Sequence, residues 1–89
     1  MFRKKKMIAS LIEKAKTLGA CEEDLHNSSE LLEHDEFGLS LDTLTSQMYE
    51  YDVPIDEEFY KKVLAIAKLL KMEESEFSFL SSLIQYKKP

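Results

Sequence analysis

Residues 33–58 decide the fold, and they read EHDEFGLSLDTLTSQMYEYDVPIDEE. Within them, apolar residues recur at the spacing of one face of an α-helix, while polar residues fall on the opposite face. Acidic residues stand at both ends of the stretch. The pattern predicts a third helix over residues 38–51. Its buried face is expected to comprise Phe37, Leu41, Leu44, Met48 and Tyr51.

The residues before this stretch predict two more helices. Residues 5–18 carry apolar side chains on one face and are followed by Gly19, a common helix stop. Asn27 and Glu30 have capping-box spacing, which predicts a connection over residues 20–27 and a short second helix after it. Because glycine is unfavourable inside a helix, we expect a break or sharp bend at Gly38.

The residues after it predict a fourth and a fifth helix. Asp56, just beyond Pro54, is placed to cap a helix over residues 57–71. Over residues 73–85 a helix would place Phe79, Leu80, Leu83 and Ile84 on one apolar face, although the alternation around Phe79 also fits a strand. The sequence carries no β-hairpin signal. We therefore expect one all-α domain over residues 1–89, a small bundle of four to five helices.

Charge is distributed in three blocks along the chain. The net charge is about +5 over residues 1–16, −13 over 17–60 and +3 over 61–89. The middle block contains thirteen Asp or Glu residues and no Lys or Arg. Such a field repels phosphate backbones, which argues against direct nucleic-acid binding, and it suits a basic protein partner.

The basic start followed by an apolar run imitates a secretion signal, and the residues before Cys21 imitate a lipoprotein cleavage site. Charged residues from Glu13 onwards interrupt the apolar run too early for a signal peptide. A single cysteine fits a reducing compartment, and no stretch is apolar enough to cross a membrane. We expect a cytoplasmic protein without membrane contact, in which Cys21 is a small half-buried thiol.

No constellation of residues points to catalysis. His26 and His34 lack the spacing of zinc ligands, so a metal site at His34 with Glu30 or Glu33 is disfavoured against a surface histidine. Cys21 has no recognisable activating base, and no glycine-rich phosphate loop is present. We expect no enzyme activity, no cofactor and no metal.

Any single acid, such as Glu33, Asp35 or Glu36, fits a solvated face about equally well, but the acidic block as a whole is instead predicted to bind a partner. Surfaces normally intersperse both signs of charge, so a long segment without one base accumulates repulsion that lowers stability. Tyr49 lies off the buried stripe and is expected to be an exposed interface anchor. The predicted partner-binding residues are Glu33, Asp35, Glu36, Tyr49, Glu50, Asp52, Glu57 and Glu58.

Residues 31–72 resemble the MafI-type immunity proteins of bacterial polymorphic toxin systems. Members carry a Glu-His-x-Glu-aromatic-Gly-Leu-small-Leu-acidic core and then an acidic, tyrosine-containing turn into a helix start with Ile. The residues of this chain that match are Glu33, His34, Glu36, Phe37, Gly38, Leu39, Ser40, Leu41 and Asp42, then Tyr49, Glu50, Asp52 and Ile55. The resemblance does not extend to the basic residues at either end.

The resemblance implies a cytoplasmic helical protein that binds one cognate toxin C-terminal domain tightly. Together with the charge, it favours neutralisation of a basic, nuclease-type toxin through an acidic face. In the motif, Phe37, Gly38, Leu39 and Leu41 are expected to be scaffold, and His34 with Glu33 or Glu36 to lock the bend before the third helix. The alternative is a small acidic helical adaptor or regulator of another basic protein. The sequence leaves the oligomeric state open.

Overall fold

A computed structural model describes residues 2–85, and within that range the chain is helical without a β-strand element. The elements in order are α1 (Arg3–Leu18), α2 (Glu22–Glu33), α3 (Phe37–Glu50), α4 (Glu57–Leu69) and a 3₁₀ helix (Glu74–Leu83). The all-α prediction is confirmed. Residue 1 and residues 86–89, which include the two C-terminal lysines, lie outside the described residues.

Side-chain contacts fix the direction of each helix. Lys5 contacts Glu33, and the α1 residues beyond it face the start of α2, so α1 and α2 are antiparallel. Buried Ser28 and Ser40 pair across α2 and α3, which are antiparallel as well. Lys14, late in α1, contacts the start of α4, and the end of the 3₁₀ helix bonds to Ile55 just before α4. Successive elements therefore run up and down, with apolar faces of all five directed at one core.

At the α2–α3 contact, both helices present a serine. Both hydroxyls are fully buried: Ser28 Oγ donates to the Ser40 carbonyl at 2.9 Å and Ser40 Oγ donates to the Ser28 carbonyl at 2.8 Å. Small side chains let the backbones approach, and the reciprocal bonds satisfy the buried hydroxyls. The small residue of the sequence motif is thus a helix-packing residue.

Several local predictions are wrong. The second helix begins at Glu22, so residues 22–27 are helical and Asn27 does not cap it. Three acidic residues in the first turn of α2 favour this earlier start by interacting with the helix dipole. The break before α3 falls at residues 34–36, and Gly38 lies inside α3 without a left-handed backbone.

The fifth helix is a 3₁₀ helix, and its buried face differs from the predicted one. Phe77, Leu80 and Leu83 are buried, whereas Phe79 is only partly so. A repeat of three residues matches the three residues per turn of a 3₁₀ helix. Hydroxyls of Ser78, Ser81 and Ser82 donate to carbonyls three residues earlier, at 3.0, 2.8 and 3.0 Å, which supports this winding.

The up-and-down course gives the bundle two ends. The Leu39 end comprises residues 2–6, 33–39 and 68–74, and the Tyr51 end comprises residues 18–23, 49–58 and 83–85. At the Tyr51 end, Ile55 and the segment after the 3₁₀ helix exchange backbone hydrogen bonds of 3.0 and 2.7 Å. This anchors the loop between α3 and α4.

Candidate functional site

The eight predicted partner-binding residues do not form one face. Glu33, Asp35 and Glu36 lie at the Leu39 end, whereas Tyr49, Glu50, Asp52, Glu57 and Glu58 lie at the Tyr51 end. From Glu36 to Glu50 the chain rises along α3 by about 21 Å, at about 1.5 Å per residue. The structure therefore divides the predicted acidic face into two separate sites.

At the Leu39 end, the acids are partly matched by one base from α1. Lys5 Nζ lies 3.5 Å from Glu33 Oε2 and 3.4 Å from Asp35 Oδ1. The carboxylates are well exposed, so each pair contributes little stability. The contact nevertheless cancels part of the negative charge, because α1 folds its basic start onto the acidic end of α2.

At the Tyr51 end, Glu50 and Asp52 are placed where a helix favours bases. Glu50 is the last residue of α3, and Asp52 follows one residue beyond its C-cap. The C-terminal end of a helix carries partial negative charge, so acids there are unfavourable by about 0.3–1 kcal/mol each. Within residues 2–85, neither side chain has a salt bridge or a side-chain hydrogen bond that would offset this.

Asp52 also adopts a left-handed backbone, with φ of 52°. Its N–H donates to the Tyr49 carbonyl at 3.1 Å, and the Val53 N–H donates to the Met48 carbonyl at 2.9 Å. These two bonds form a Schellman turn, whose left-handed position is most often glycine. Asp35 and Lys71 occupy the same position after α2 and α4, with φ of 59° and 62°.

Two tyrosines flank these acids. Tyr49 is 46% exposed and Tyr51 is 62% exposed. The exposure predicted for Tyr49 is confirmed, and its ring meets Phe79 edge-on with centroids 5.2 Å apart. The predicted burial of Tyr51 is wrong, because α3 ends at Glu50 and the tyrosine follows the turn away from the core.

The start of α4 is acidic but internally paired. As predicted, Asp56 caps the helix, accepting the Phe59 N–H at 2.7 Å through Oδ1. Its Oδ2 lies 3.2 Å from Lys14 Nζ, which also lies 3.2 Å from Glu58 Oε1. Glu58 is thus engaged within the chain, while Glu57 has no such partner among the described residues.

These contacts shift two pKa values in opposite directions. The Phe59 N–H, and after it Lys14, hold the pKa of Asp56 below its ordinary value. The hydrogen bond to Glu58, together with Asp56, raises the pKa of Lys14. Each shift favours the charged form, so the cluster is an ion-paired brace between α1 and α4.

Elsewhere on α3, burial and then the nearby Glu76 carboxylate raise the pKa of Asp42. Its ionised form is therefore disfavoured by folding. Asp42 stands midway along α3, between the two ends. Its charge belongs to neither acidic site.

An apolar groove at the Leu39 end was missed from the sequence. It has a volume of about 470 Å³ and is lined by residues 35–39 with Leu70 and Met72. Leu39, expected to be scaffold, is 52% exposed beside it. The signal in the sequence was that Leu39 falls two positions after Phe37 and therefore off the stripe that α3 buries.

The remaining candidates are the cysteine and the possible metal ligands. Cys21 is exposed rather than half-buried. In the part of the chain that the structure describes, no three His, Cys, Asp or Glu side chains converge as metal ligands would. His26 Nε2 lies 3.6 Å from Glu30 Oε1 on the surface of α2. Across residues 2–85, no helix combines the length and apolar character needed to cross a membrane.

Comparisons with known proteins add no relative. No family model matches the chain, and no match was found among curated proteins or solved structures.

Proposed function

We propose that this chain is an immunity protein that binds and neutralises a basic, nuclease-type bacterial toxin domain in the cytoplasm, with the Tyr51 end as its contact surface. The proposal rests on the motif resemblance of residues 31–72 and on one observation in particular. Glu50 and Asp52 occupy positions that disfavour acids and have no internal partner among residues 2–85. Residues that lower the stability of the fold without an internal gain are typical of functional sites.

The composition of the Tyr51 end fits a protein partner. Tyr49 and Tyr51 supply broad, rigid contact area beside Glu50, Asp52 and Glu57. Aromatic residues are enriched among the residues that dominate binding energy at interfaces. Acids around them complement a basic surface and accelerate encounter with it.

The partner's chemistry follows from this charge. A domain that handles nucleic acid presents bases to phosphate groups, and an acidic surface that covers those bases competes with the substrate. Neutralisation would then need no chemistry from the immunity protein itself. The Leu39 end, whose acids are partly matched by Lys5, is left out of this contact.

The direct test is co-expression of the tagged chain with the protein encoded immediately upstream, supplied as a catalytically inactive C-terminal domain. We expect a stoichiometric complex that survives gel filtration. The double variant Glu50→Lys/Asp52→Lys should lose the complex. Its matched control, Glu33→Lys/Glu36→Lys, makes the same charge change at the other end and should keep it.

Failure of the folded upstream domain to bind would overturn the toxin assignment. A pull-down from cell extract would then test the adaptor alternative. Capture of a different basic protein, lost in Glu50→Lys/Asp52→Lys, would identify the chain as an adaptor that uses the same end.

A further inference from the structure

We propose that the Leu39 end is a self-association surface, in which Phe2 of one copy enters the apolar groove of a second copy. The inference does not depend on the proposed function, because it concerns the opposite end of the bundle. It follows from an apolar groove and a matching apolar side chain that lie at the same end of one molecule.

The groove has the chemistry of a receptor for an apolar side chain flanked by bases. Phe37, Leu39, Leu70 and Met72 line it with apolar surface, and Asp35 and Glu36 stand at its edge. No side chain can project from Gly38, and a β-carbon built there would lie 3.9 Å from Met72 Sδ. A methyl group at this position would therefore lie in ordinary van der Waals contact with Met72.

The start of α1 carries the complement. Phe2 is the N-cap of α1 and is 63% exposed, and Arg3 and Lys4 follow it. The first turn of α1 contains no acid, so its bases add to the positive end of the helix dipole. An aromatic ring followed by two bases is matched in charge to an apolar groove with an acidic edge.

Within one copy, Phe2 does not fill the groove. Phe2 and Leu39 both remain mostly exposed in the single chain, although Lys5 reaches the groove-lining Asp35. Because the ring and the groove lie at the same end, a two-fold axis would place each Phe2 against the other copy's groove. The Tyr51 end cannot pair with itself in this way, since its unpaired charges are of one sign.

The contact is expected to be weak. One aromatic ring and its neighbours cover less than the roughly 800 Å² per partner of stable complexes. We therefore expect a dimer that dissociates on dilution. Its arrangement leaves both Tyr51 ends free, since they lie on the far sides of the pair.

Sedimentation velocity over a wide concentration range tests this proposal. The sedimentation coefficient of the full chain should rise with concentration, whereas Phe2→Glu and Leu39→Glu should remain monomeric. Tyr51→Glu replaces an exposed aromatic residue at the other end and should follow the wild-type curve. A wild-type protein that stays monomeric, or an equal loss in Tyr51→Glu, would overturn the proposal.

Site-specific cross-linking tests the predicted contact itself. In a Cys21→Ser background, a Phe2→Cys protein mixed with a Leu39→Cys protein should form a disulfide-linked heterodimer under mild oxidation. A mixture of Phe2→Cys with Tyr51→Cys should not. Equal cross-linking in both mixtures would indicate random collision, and reduced toxin binding by Leu39→Glu in a monomeric protein would assign the groove to the toxin instead.

Discussion

The two ends of the bundle both carry acids at the C-terminal end of a helix, but the ends differ in whether a base lies beside those acids. At the Leu39 end, the acids after α2 meet Lys5, because the basic start of α1 lies beside them. At the Tyr51 end, the acids after α3 meet no base within residues 2–85, and Lys14 is occupied by Asp56 and Glu58. At the first end Lys5 pairs with two of the acids, whereas at the second Glu50 and Asp52 stay unpaired within residues 2–85.

The acids that are adjacent in the sequence are therefore not the acids that share one surface of the folded protein. The acidic block is continuous in the sequence, but folding distributes it over opposite ends and matches part of it with α1. Several acids have no ion-pair partner within residues 2–85, and two of them, Glu50 and Asp52, lie beside the exposed Tyr49 and Tyr51. There, two exposed tyrosine rings lie beside acids at the C-terminal end of a helix.

The largest expected effect is the loss of partner affinity when the Tyr51 end is reversed in charge. We expect Glu50→Lys/Asp52→Lys to weaken binding of the basic toxin domain by on the order of 100-fold or more, because attraction becomes repulsion across the contact. Isothermal titration calorimetry measures this. In the control Glu33→Lys/Glu36→Lys, only a few-fold change is expected from the altered net charge.

Salt should distinguish the two ends next. Raising ionic strength should slow association with the toxin domain by about tenfold or more, since exposed charges are screened beyond about 8 Å at physiological salt. Self-association through the apolar groove should change much less. Stopped-flow association and sedimentation velocity provide the two readouts. A salt-independent association rate would contradict electrostatic capture.

Lowering the pH should remove the stability that the Asp56 contacts contribute at the Tyr51 end. Because folding lowers the pKa of Asp56, the folded state binds its proton less tightly than the unfolded state does. Its stabilisation is therefore complete above the ordinary value of 3.8 and is lost as pH falls through the folded-state pKa. At neutral pH, Asp56→Ala should lower the free energy of unfolding by about 1 kcal/mol.

Asp42 serves as a control, because folding shifts its pKa in the opposite direction to that of Asp56. Its pKa is raised, so its ionisation opposes folding at neutral pH and ceases to do so as pH falls below 3.8. Asp42→Asn should therefore stabilise the protein at pH 7 and have less effect in acid. Urea unfolding as a function of pH measures both variants, and a loss of stability in Asp42→Asn at pH 7 would contradict this reading.

The smallest expected effects concern the left-handed residues after α3 and α4. Glycine relieves left-handed strain but adds freedom to the unfolded chain, so Lys71→Gly should gain at most about 1 kcal/mol. It should leave toxin binding unchanged. Asp52→Gly should also retain or gain stability but should weaken binding, because it removes an acid from the Tyr51 end. Equal binding by both variants would show that Asp52 acts only in the turn.

The helical core was largely predictable because its stripes are regular. Leu41, Leu44 and Met48 are buried as their spacing predicts, and Asp56 caps α4 as its position before Glu57 predicts. Helical periodicity no longer predicts which side chains are buried at the end of a helix, because the chain changes direction there. Tyr51 continues the α3 stripe in sequence, but the turn at Asp52 directs the chain elsewhere.

The division of the acidic face could not be predicted because it depends on helix direction. Nothing local in the sequence places Lys5 beside Glu33, or Lys14 beside Asp56. Similarly, the exposure of Leu39 depends on how α4 and the residues after it pass the start of α3. The repeat of Phe77, Leu80 and Leu83 was readable, but only by testing a period of three against the usual helical period.

We infer that Glu50 and Asp52 are retained for a partner at the expense of the fold, and unfolding of the isolated protein is the measurement that decides this. The free energy of unfolding of Glu50→Lys/Asp52→Lys should be measured against wild type in urea at low salt, where helix-dipole interactions are not screened. We expect the variant to be more stable by about 0.5–2 kcal/mol, because each lysine complements the C-terminal end of α3. A variant less stable than wild type would show that Glu50 and Asp52 stabilise the fold and are not retained at its expense.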